Sequence, residues 1–360
     1  MQLSEHNILF FARTMKLGGT ENVVLQLCEI FKPFVNKVVV CSCGGVNVDK
    51  LNKMGIRHYE VGDPEDKNPK NIIKNCKRIK QIIRDEHITV IHTHHRMAAF
   101  YVRLLGLDKH CHFINTSHNT FYNRKLLTRF AYKNCNLIAC GEMVKKNLMD
   151  FYGLNNVTVI HNAVKPFEGP IVVDERLKID KEAGNFLIGN IGRLSEQKGM
   201  EYFIRAIPTI LKSHPEAQFY IIGSGEDEEK LKSLARDFSI RDELVFMGYR
   251  SDVQNLMSQL DLVVLSSLWE GFPLTPIEAF SVGKSIVATG VDGTIEIVQD
   301  GKNGLLVEPR NSEAIADKVI WMIEHPAELQ LMEKEAKQRF ANQFSFDTLT
   351  KSYADFYRSI

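Results

Sequence analysis

The sequence predicts an α/β protein built from two doubly wound domains, each a mostly parallel sheet with helices on its faces. Three observations predict it. Short β-branched or apolar runs alternate with longer segments of helical period from end to end. The cycle starts afresh near residue 186, after an irregular stretch. The length of 360 residues also exceeds what one hydrophobic core usually organises.

In the first half the predicted strands are 7–12, 37–42, 88–92, 112–116, 136–140 and 157–160, all rich in Val, Ile and Phe. Between them fall helical segments. The clearest is 70–86, where Ile72, Cys76, Ile79 and Ile83 recur on one face and Lys70, Lys74, Lys77, Arg78 and Arg84 on the other. Residues 163–184 break the periodicity with Pro166, Gly169, Pro170 and a run of charges, which places the domain boundary there. The second half repeats the pattern with strands at 186–191, 217–222, 243–247, 261–266, 285–289 and 304–307. Beyond residue 312 the chain reads as helix, and Phe340, Phe344, Phe346, Tyr353, Phe356 and Tyr357 require something to dock on.

Composition narrows the function. No apolar run approaches the roughly 20 residues of a bilayer span, and MQLSEHN leads straight into a strand without a signal-like apolar region, so a cytoplasmic protein is expected. The seven cysteines, all before residue 141, are odd in number and lack paired C-x-x-C spacing; reduced thiols are expected. His92, His94 and His95 resemble a metal cluster, but no second cluster of Cys, His or carboxylate completes a ligand set. A net charge of +1 argues against a nucleic-acid binder. That near-neutrality hides a division, because residues 1–162 carry +10 and residues 163–360 carry −9.

The motifs collect where predicted strands end. Gly18-Gly19-Thr20-Glu21 follows the first strand and opens a helix, where backbone N–H groups can approach an anion, although an ordinary tight turn has the same residues. Gly283-Lys284-Ser285 mimics the end of a P-loop but leads into a strand and lacks the first glycine. Gly192-Arg193-Leu194-Ser195-Glu196-Gln197-Lys198-Gly199 sets two cations five residues apart around a glycine-edged turn, a pattern that can flank a diphosphate. Gly223 and Gly225 end the next strand on the same side. Most specific is SLWEGFPLTPIEA at 267–279. There Glu270 stands in a Gly- and Pro-rich turn and Glu278 in the first turn of the helix that follows. Carboxylates accept hydrogen bonds from sugar hydroxyls, and free N–H groups of the 271–275 turn can hold an anion or a sugar. A helix terminus balanced by Glu278 would explain that residue but not Glu270.

In this order and spacing the residues resemble the retaining glycosyltransferases of family 4, which have the GT-B fold. Glu270 and Glu278 match their E-x7-E motif, and the likeness extends over GGTE at 18–21, His118 in INTSHNT, Asn162 in VIHNAV, GRLSEQKG at 192–199, GSGEDEEKL at 223–231, MGY at 247–249 and DGTIEIVQDGKNGLLV at 292–307. The resemblance implies two Rossmann-like domains facing a central cleft, with a C-terminal helix crossing back to the first domain. The acceptor side would be residues 1–165 completed by about 340–360. The donor domain would be residues 166–339.

By the same resemblance, Arg193 and Lys198 would neutralise the diphosphate of a nucleotide-sugar and stabilise it as leaving group, Glu270 would hold a hydroxyl of the donor sugar, and Glu278 would accept the ribose hydroxyls. Gly271, Phe272, Pro273, Leu274 and Thr275 would fix the sugar and its distal phosphate through their backbone. The base would lie against Tyr249, Arg250 and Ser251, with Gly223 and Gly225 on the same edge, and Gly18 and Gly19 would close over the diphosphate. His118 resembles the histidine near the anomeric carbon. No metal or cofactor is expected, in keeping with the lack of a D-x-D triplet. The implied acceptor is a glycan or a lipid-linked or polysaccharide precursor, UDP is the favoured donor nucleotide, and no covalent nucleophile stands out. The basic first half points to peripheral contact with an anionic membrane, against the plainer reading of a solvated charged face. A nucleotide-sugar epimerase and a silent nucleotide-sugar-binding subunit are the rival readings. One departure is Val291-Asp292-Gly293-Thr294-Ile295-Glu296, where many relatives carry a second glycine-rich stretch.

Overall fold

The computed structural model describes residues 3–360, which divide into two compact units: residues up to Asn162 together with Leu349–Ile360, and Ala163–Thr348. The first holds a seven-stranded parallel sheet of β1 (Asn7–Phe11), β2 (Lys37–Ser42), β3 (Arg57–Glu60), β4 (Val90–Thr93), β5 (His112–Ser117), β6 (Asn136–Ala139) and β7 (Val157–Val159), in the order 3-2-1-4-5-6-7. The second holds a six-stranded parallel sheet of β8 (Phe186–Ile191), β9 (Ala217–Ile222), β10 (Leu244–Gly248), β11 (Leu262–Leu265), β12 (Ile286–Thr289) and β13 (Leu305–Val307), in the order 10-9-8-11-12-13. In each sheet the order reverses beside the first strand, between β1 and β4 and between β8 and β11. Loops diverge there at the carboxyl edge and leave room for a ligand.

The near-continuous apolar strands are buried on both faces, as parallel sheets demand. The core of the second unit forms where Ile188, Phe219, Ile221, Leu262 and Val264 meet the helices Met200–Ser213 and Ser312–Glu324 through Phe203, Ile207, Val319 and Met322.

Strand β3 escaped the sequence reading. Its residues, RHYE, lie at the sheet edge and none is fully buried, so no apolar run marks it. The helix Pro69–Asp85 starts as its sequence predicts, with the Asn68 side chain accepting from the Lys70 N–H and Pro69 in the first turn. Its buried face is centred differently, on Asn75, Ile79 and Ile82, with Ile72, Cys76 and Ile83 at the margins. A polar residue can lead that face because Asn75 exchanges two hydrogen bonds with the backbone of Gly62.

The terminal aromatic side chains divide between the units. Phe344 packs on Phe272 in the second, with ring centroids 5.9 Å apart. Tyr353 and Tyr357 are fully buried in the first, where Tyr357 lies 4.3 Å from the Phe31 ring and bonds His92. All seven cysteines are free. No helix among the described residues is long and apolar enough to cross a membrane.

Candidate active site

The loops leaving β8, β9 and β11 are knitted together at the carboxyl edge of the second sheet. Gly192 N–H donates to Ile222, Leu194 N–H to Ser224 and Asp227 N–H to Leu194, so the turn after β8 lies flat on the turn after β9. Only glycine permits this approach at residue 223, where a Cβ would stand 1.8 Å from the Gly192 carbonyl oxygen and φ is +149°. The sequence reading assigned Gly223 and Gly225 to a ligand edge; the structure shows that they are first required for loop packing.

From that platform a single 3-10 turn, Glu196–Lys198, reaches toward β11. Leu268 N–H donates to the Gln197 carbonyl, and the Ser266 hydroxyl bonds the Lys198 carbonyl while accepting from Asn190. These bonds aim Lys198 at Glu270. The ammonium lies 2.5 Å from Glu270 Oε1, which also accepts from the Ser267 hydroxyl at 2.7 Å. Glu270 is nearly buried, at 6% exposure, so its charge is sustained by these partners. Arg193, earlier in the same loop, is exposed.

Glu278 is placed differently from the sequence expectation. The helix spans Leu274–Ser281 with no acidic residue in its first turn, and Glu278 is its fifth residue. Balancing the helix terminus therefore does not account for it, because the dipole acts mainly within the first turn. Burial raises its carboxyl to about 7, with Lys198 pulling in the opposite direction.

Two contributors were missed in the sequence. Ser267 orients Glu270, and Asp292 accepts the Glu270 N–H at 3.1 Å. Burial and the neighbouring Glu270 raise the Asp292 carboxyl, while that N–H lowers it. The loop carrying Asp292 packs so closely on the 270–272 turn that a Cβ at Gly293 would stand 2.0 Å from the Gly271 carbonyl oxygen. Nothing in a lone VDG triplet signals such a contact.

At the β10 end, Tyr249 and Ser251 are exposed, whereas the Arg250 side chain is committed to Asp174 at 2.8 Å and to Asp252 through two bonds. These carboxylates raise its already high pKa, and Arg250 braces the turn through them.

In the first unit, Gly18 precedes the helix Gly19–Phe31 in extended conformation, and Glu21 is taken up by the Thr14 hydroxyl. His118 follows β5, half-buried, and its Nε2 lies 3.0 Å from His94 Nδ1. Burial lowers the His118 pKa to about 4. Of the three histidines read as an incomplete metal cluster, His92 and His94 stack with rings 4.4 Å apart, and His94 stacks in turn on His118. His95 instead caps the helix Arg96–Leu104, its ring accepting from the Met97 N–H. No group of three or more His, Cys, Asp or Glu among the described residues could hold a metal ion.

A parallel sheet pair with these loops is the frame of a GT-B enzyme, and the comparisons with known proteins specify the class. Residues 173–339 match the family described as "Glycosyl transferases group 1". Residues 17–166 match that described as "Glycosyltransferase Family 4". An uncharacterized glycosyltransferase of Methanocaldococcus jannaschii is 29% identical over 237 residues, 63% of this chain and 60% of that one. The UDP-Gal:alpha-D-GlcNAc-diphosphoundecaprenol alpha-1,3-galactosyltransferase of Escherichia coli is 25% identical over 371 residues, 95% of this chain and 94% of that one. Among solved structures, HepE of Anabaena in complex with UDP superposes with a TM-score of 0.84 at 20% identity over 98% of this chain and 100% of that one. A glycosyltransferase from Rickettsia africae gives 0.86 at 22% identity over 98% of each. The chain is thus a glycosyltransferase with the GT-B fold.

Proposed function

We propose that this enzyme is a retaining glycosyltransferase of family 4 that moves a sugar from a nucleotide-sugar, a UDP-sugar first, to an acceptor hydroxyl on a lipid-linked or polysaccharide precursor. The observation that carries the reading is the Lys198–Glu270 pair, built across two loops at the topological switch point with Glu278 nearby in sequence and charge. A half-buried ammonium held at the edge of a sheet by backbone bonds is a preorganised anion partner.

The roles follow from the chemistry. Lys198 and Arg193 take the charge that develops on the departing diphosphate, as point charge and fork respectively. Glu270 accepts a hydroxyl of the donor sugar, and Glu278 accepts the ribose hydroxyls. Backbone N–H groups of residues 271–275 hold the sugar and distal phosphate, and the turn at 249–251 meets the base. Gly18 and Gly19 are assigned to the diphosphate and His118 to the reacting sugar. The second unit is the donor domain and the first the acceptor domain. With cationic side chains serving the leaving group, no metal is required for that task. The acceptor hydroxyl attacks the face from which the phosphate departs, and a phosphate oxygen takes its proton, so positioning and electrostatics do most of the catalysis.

Two kinds of relative support the substrates. The printed name of the Escherichia coli enzyme specifies a UDP-galactose donor and a lipid diphosphate acceptor, and HepE is described with UDP and UDP-glucose. Membrane contact is supported by a patch on the first unit in which Tyr122 (69% exposed), Leu126 (83%), Phe121 and Phe130 stand among Arg124, Lys125 and Arg129. Exposed apolar side chains ringed by basic ones fit the boundary of an anionic bilayer.

Nucleotide release from UDP-, GDP- and ADP-sugars, alone and with lipid-linked acceptors, tests the reading. Release stimulated by an acceptor, with the donor's anomeric configuration kept in the product, is the expected outcome. Tight binding without turnover on any acceptor would point to a silent binding subunit, and an inverted product would end the retaining assignment.

A further inference from the structure

His94 contributes nothing to the roles above, yet among the described residues it is the one side chain hydrogen-bonded to the His118 ring. It follows β4, is 4% exposed, and its Nδ1 faces His118 Nε2 at 3.0 Å. Its other nitrogen, Nε2, is buried without a hydrogen-bond partner among the described residues. The His94 ring is fixed from behind by His92, stacked at 4.4 Å and 26°. His92 is itself locked, with Nδ1 bonded to the Tyr357 hydroxyl and Nε2 to the Thr116 hydroxyl, both at 2.8 Å.

This arrangement restricts where the protons sit. Burial, reinforced by repulsion from His92 and His118, pushes His94 well below its usual range, and burial lowers His118 to about 4, so near neutral pH both rings are neutral. Each then carries one N–H, and within the contact one nitrogen donates and the other accepts. If His118 donated through Nε2, the His94 proton would have to sit on Nε2, as a buried N–H with no acceptor. If His94 donates through Nδ1, its buried Nε2 keeps only a bare lone pair, the less costly orphan. His118 then accepts through Nε2 and carries its own proton on Nδ1, the nitrogen not spent on His94. That is the reverse of the tautomer a free histidine side chain prefers in water, and a neighbour's hydrogen bond is what selects it.

We propose that His94 is a positioning residue that holds His118 as the Nδ1–H tautomer, so that His118 meets its ligand as a hydrogen-bond donor to a sugar or phosphate oxygen and not as a proton acceptor. The proposal rests on the placement of His118 at the reacting sugar given above. A His118 ring held in this way has no free lone pair with which to act as a base, in agreement with the acceptor's proton leaving on phosphate.

The full chain labelled with ¹⁵N-histidine and free of ligand reports the tautomer directly in two-bond ¹H–¹⁵N spectra, with His118 assigned by the His118→Ala variant. The expected spectrum shows His118 protonated at Nδ1. In His94→Phe, which keeps a ring in the stack but has no N–H, His118 should move to the Nε2–H form, and UDP release from UDP-glucose should slow roughly tenfold, the weight of one misdirected hydrogen bond. His94→Asn, whose amide N–H can take the place of Nδ1, should recover part of both. An Nε2–H form in the parent chain, or an unchanged tautomer in a folded His94→Phe protein, would overturn the proposal. Should that variant fail to fold, the parent spectrum alone decides. Full activity in His118→Ala would instead overturn the placement of His118 at the sugar, a failure separable from that of the tautomer.

Discussion

Lys198 Nζ lies 2.5 Å from Glu270 Oε1, in a pair whose side chains keep only 17% and 7% of their exposure. Under the proposed function, Glu270 and the diphosphate of the donor compete for the Lys198 ammonium.

This competition makes a two-sided prediction for Glu270→Ala. Removing one member of a buried pair leaves the other unpaired, so stability should fall by about 3 kcal/mol in urea unfolding. UDP alone should bind more tightly, because one like charge has gone, while UDP release from UDP-sugars should slow at least roughly tenfold for want of the sugar contact. Weaker UDP binding by the variant, or unimpaired transfer, would remove Glu270 from its assigned role.

Glu278 predicts a pH dependence. Its carboxyl titrates near 7 in the folded chain against an ordinary value of 4.5. Below 4.5 it is protonated in both states and costs nothing. As pH rises from 4.5 through about 7 the unfolded chain releases a proton that the folded chain keeps, so this group lowers stability across that window. Glu278→Gln should exceed the parent in stability by up to about 3 kcal/mol near pH 8 and by little near pH 5. Unfolding free energies at the two pH values test this, and a gap that does not widen with pH contradicts it.

Gly223→Ala should be far more costly than an ordinary glycine replacement. The new methyl would meet the Gly192 carbonyl oxygen at 1.8 Å. A loss of about 3 kcal/mol is expected, together with weaker nucleotide binding as the turn carrying Arg193 and Lys198 is displaced. Gly301→Ala is the control, at φ +71° with no atom within 4 Å of its Cβ. It should cost about 1 kcal/mol from backbone strain alone. Equal melting temperatures for the two would refute the close-approach argument.

The surface patch of the first unit should bind anionic lipid. Vesicles containing phosphatidylglycerol should sediment the protein at low salt, and the double variant Tyr122→Ser, Leu126→Asp should remain in the supernatant without loss of UDP binding. Each basic residue near the surface contributes about 1 kcal/mol, so added salt should release the parent chain as well. Failure of the parent to sediment would end the membrane assignment.

The extent to which these features were legible in the sequence follows from their physics. Buried parallel strands such as Phe186–Ile191 announce themselves as unbroken apolar runs, and helix starts such as Asn68-Pro69 carry their own caps. Arg57–Glu60 does not, because this edge strand, RHYE, has no apolar run and buries none of its residues fully, unlike the edge strands Val157–Val159 and Leu305–Val307. In the candidate site, Glu270 and Lys198 stand inside motifs of recognisable spacing, whereas Asp292 and His94 matter only through contacts made over 22 and 24 residues of chain. The reason Gly223 is glycine was equally invisible, since the carbonyl it must avoid belongs to another loop.

The proposed function rests on a cationic diphosphate site at the carboxyl edge of the second sheet. Calorimetric titration with UDP and with UMP, in EDTA, tests it most directly on the parent chain and on Lys198→Ala and Arg193→Ala. The account predicts that UDP binds more tightly than UMP without any metal, and that each variant loses roughly tenfold or more of the UDP affinity but little of the UMP affinity. Equal affinity for the two nucleotides, or variants that bind UDP as the parent does, would contradict it.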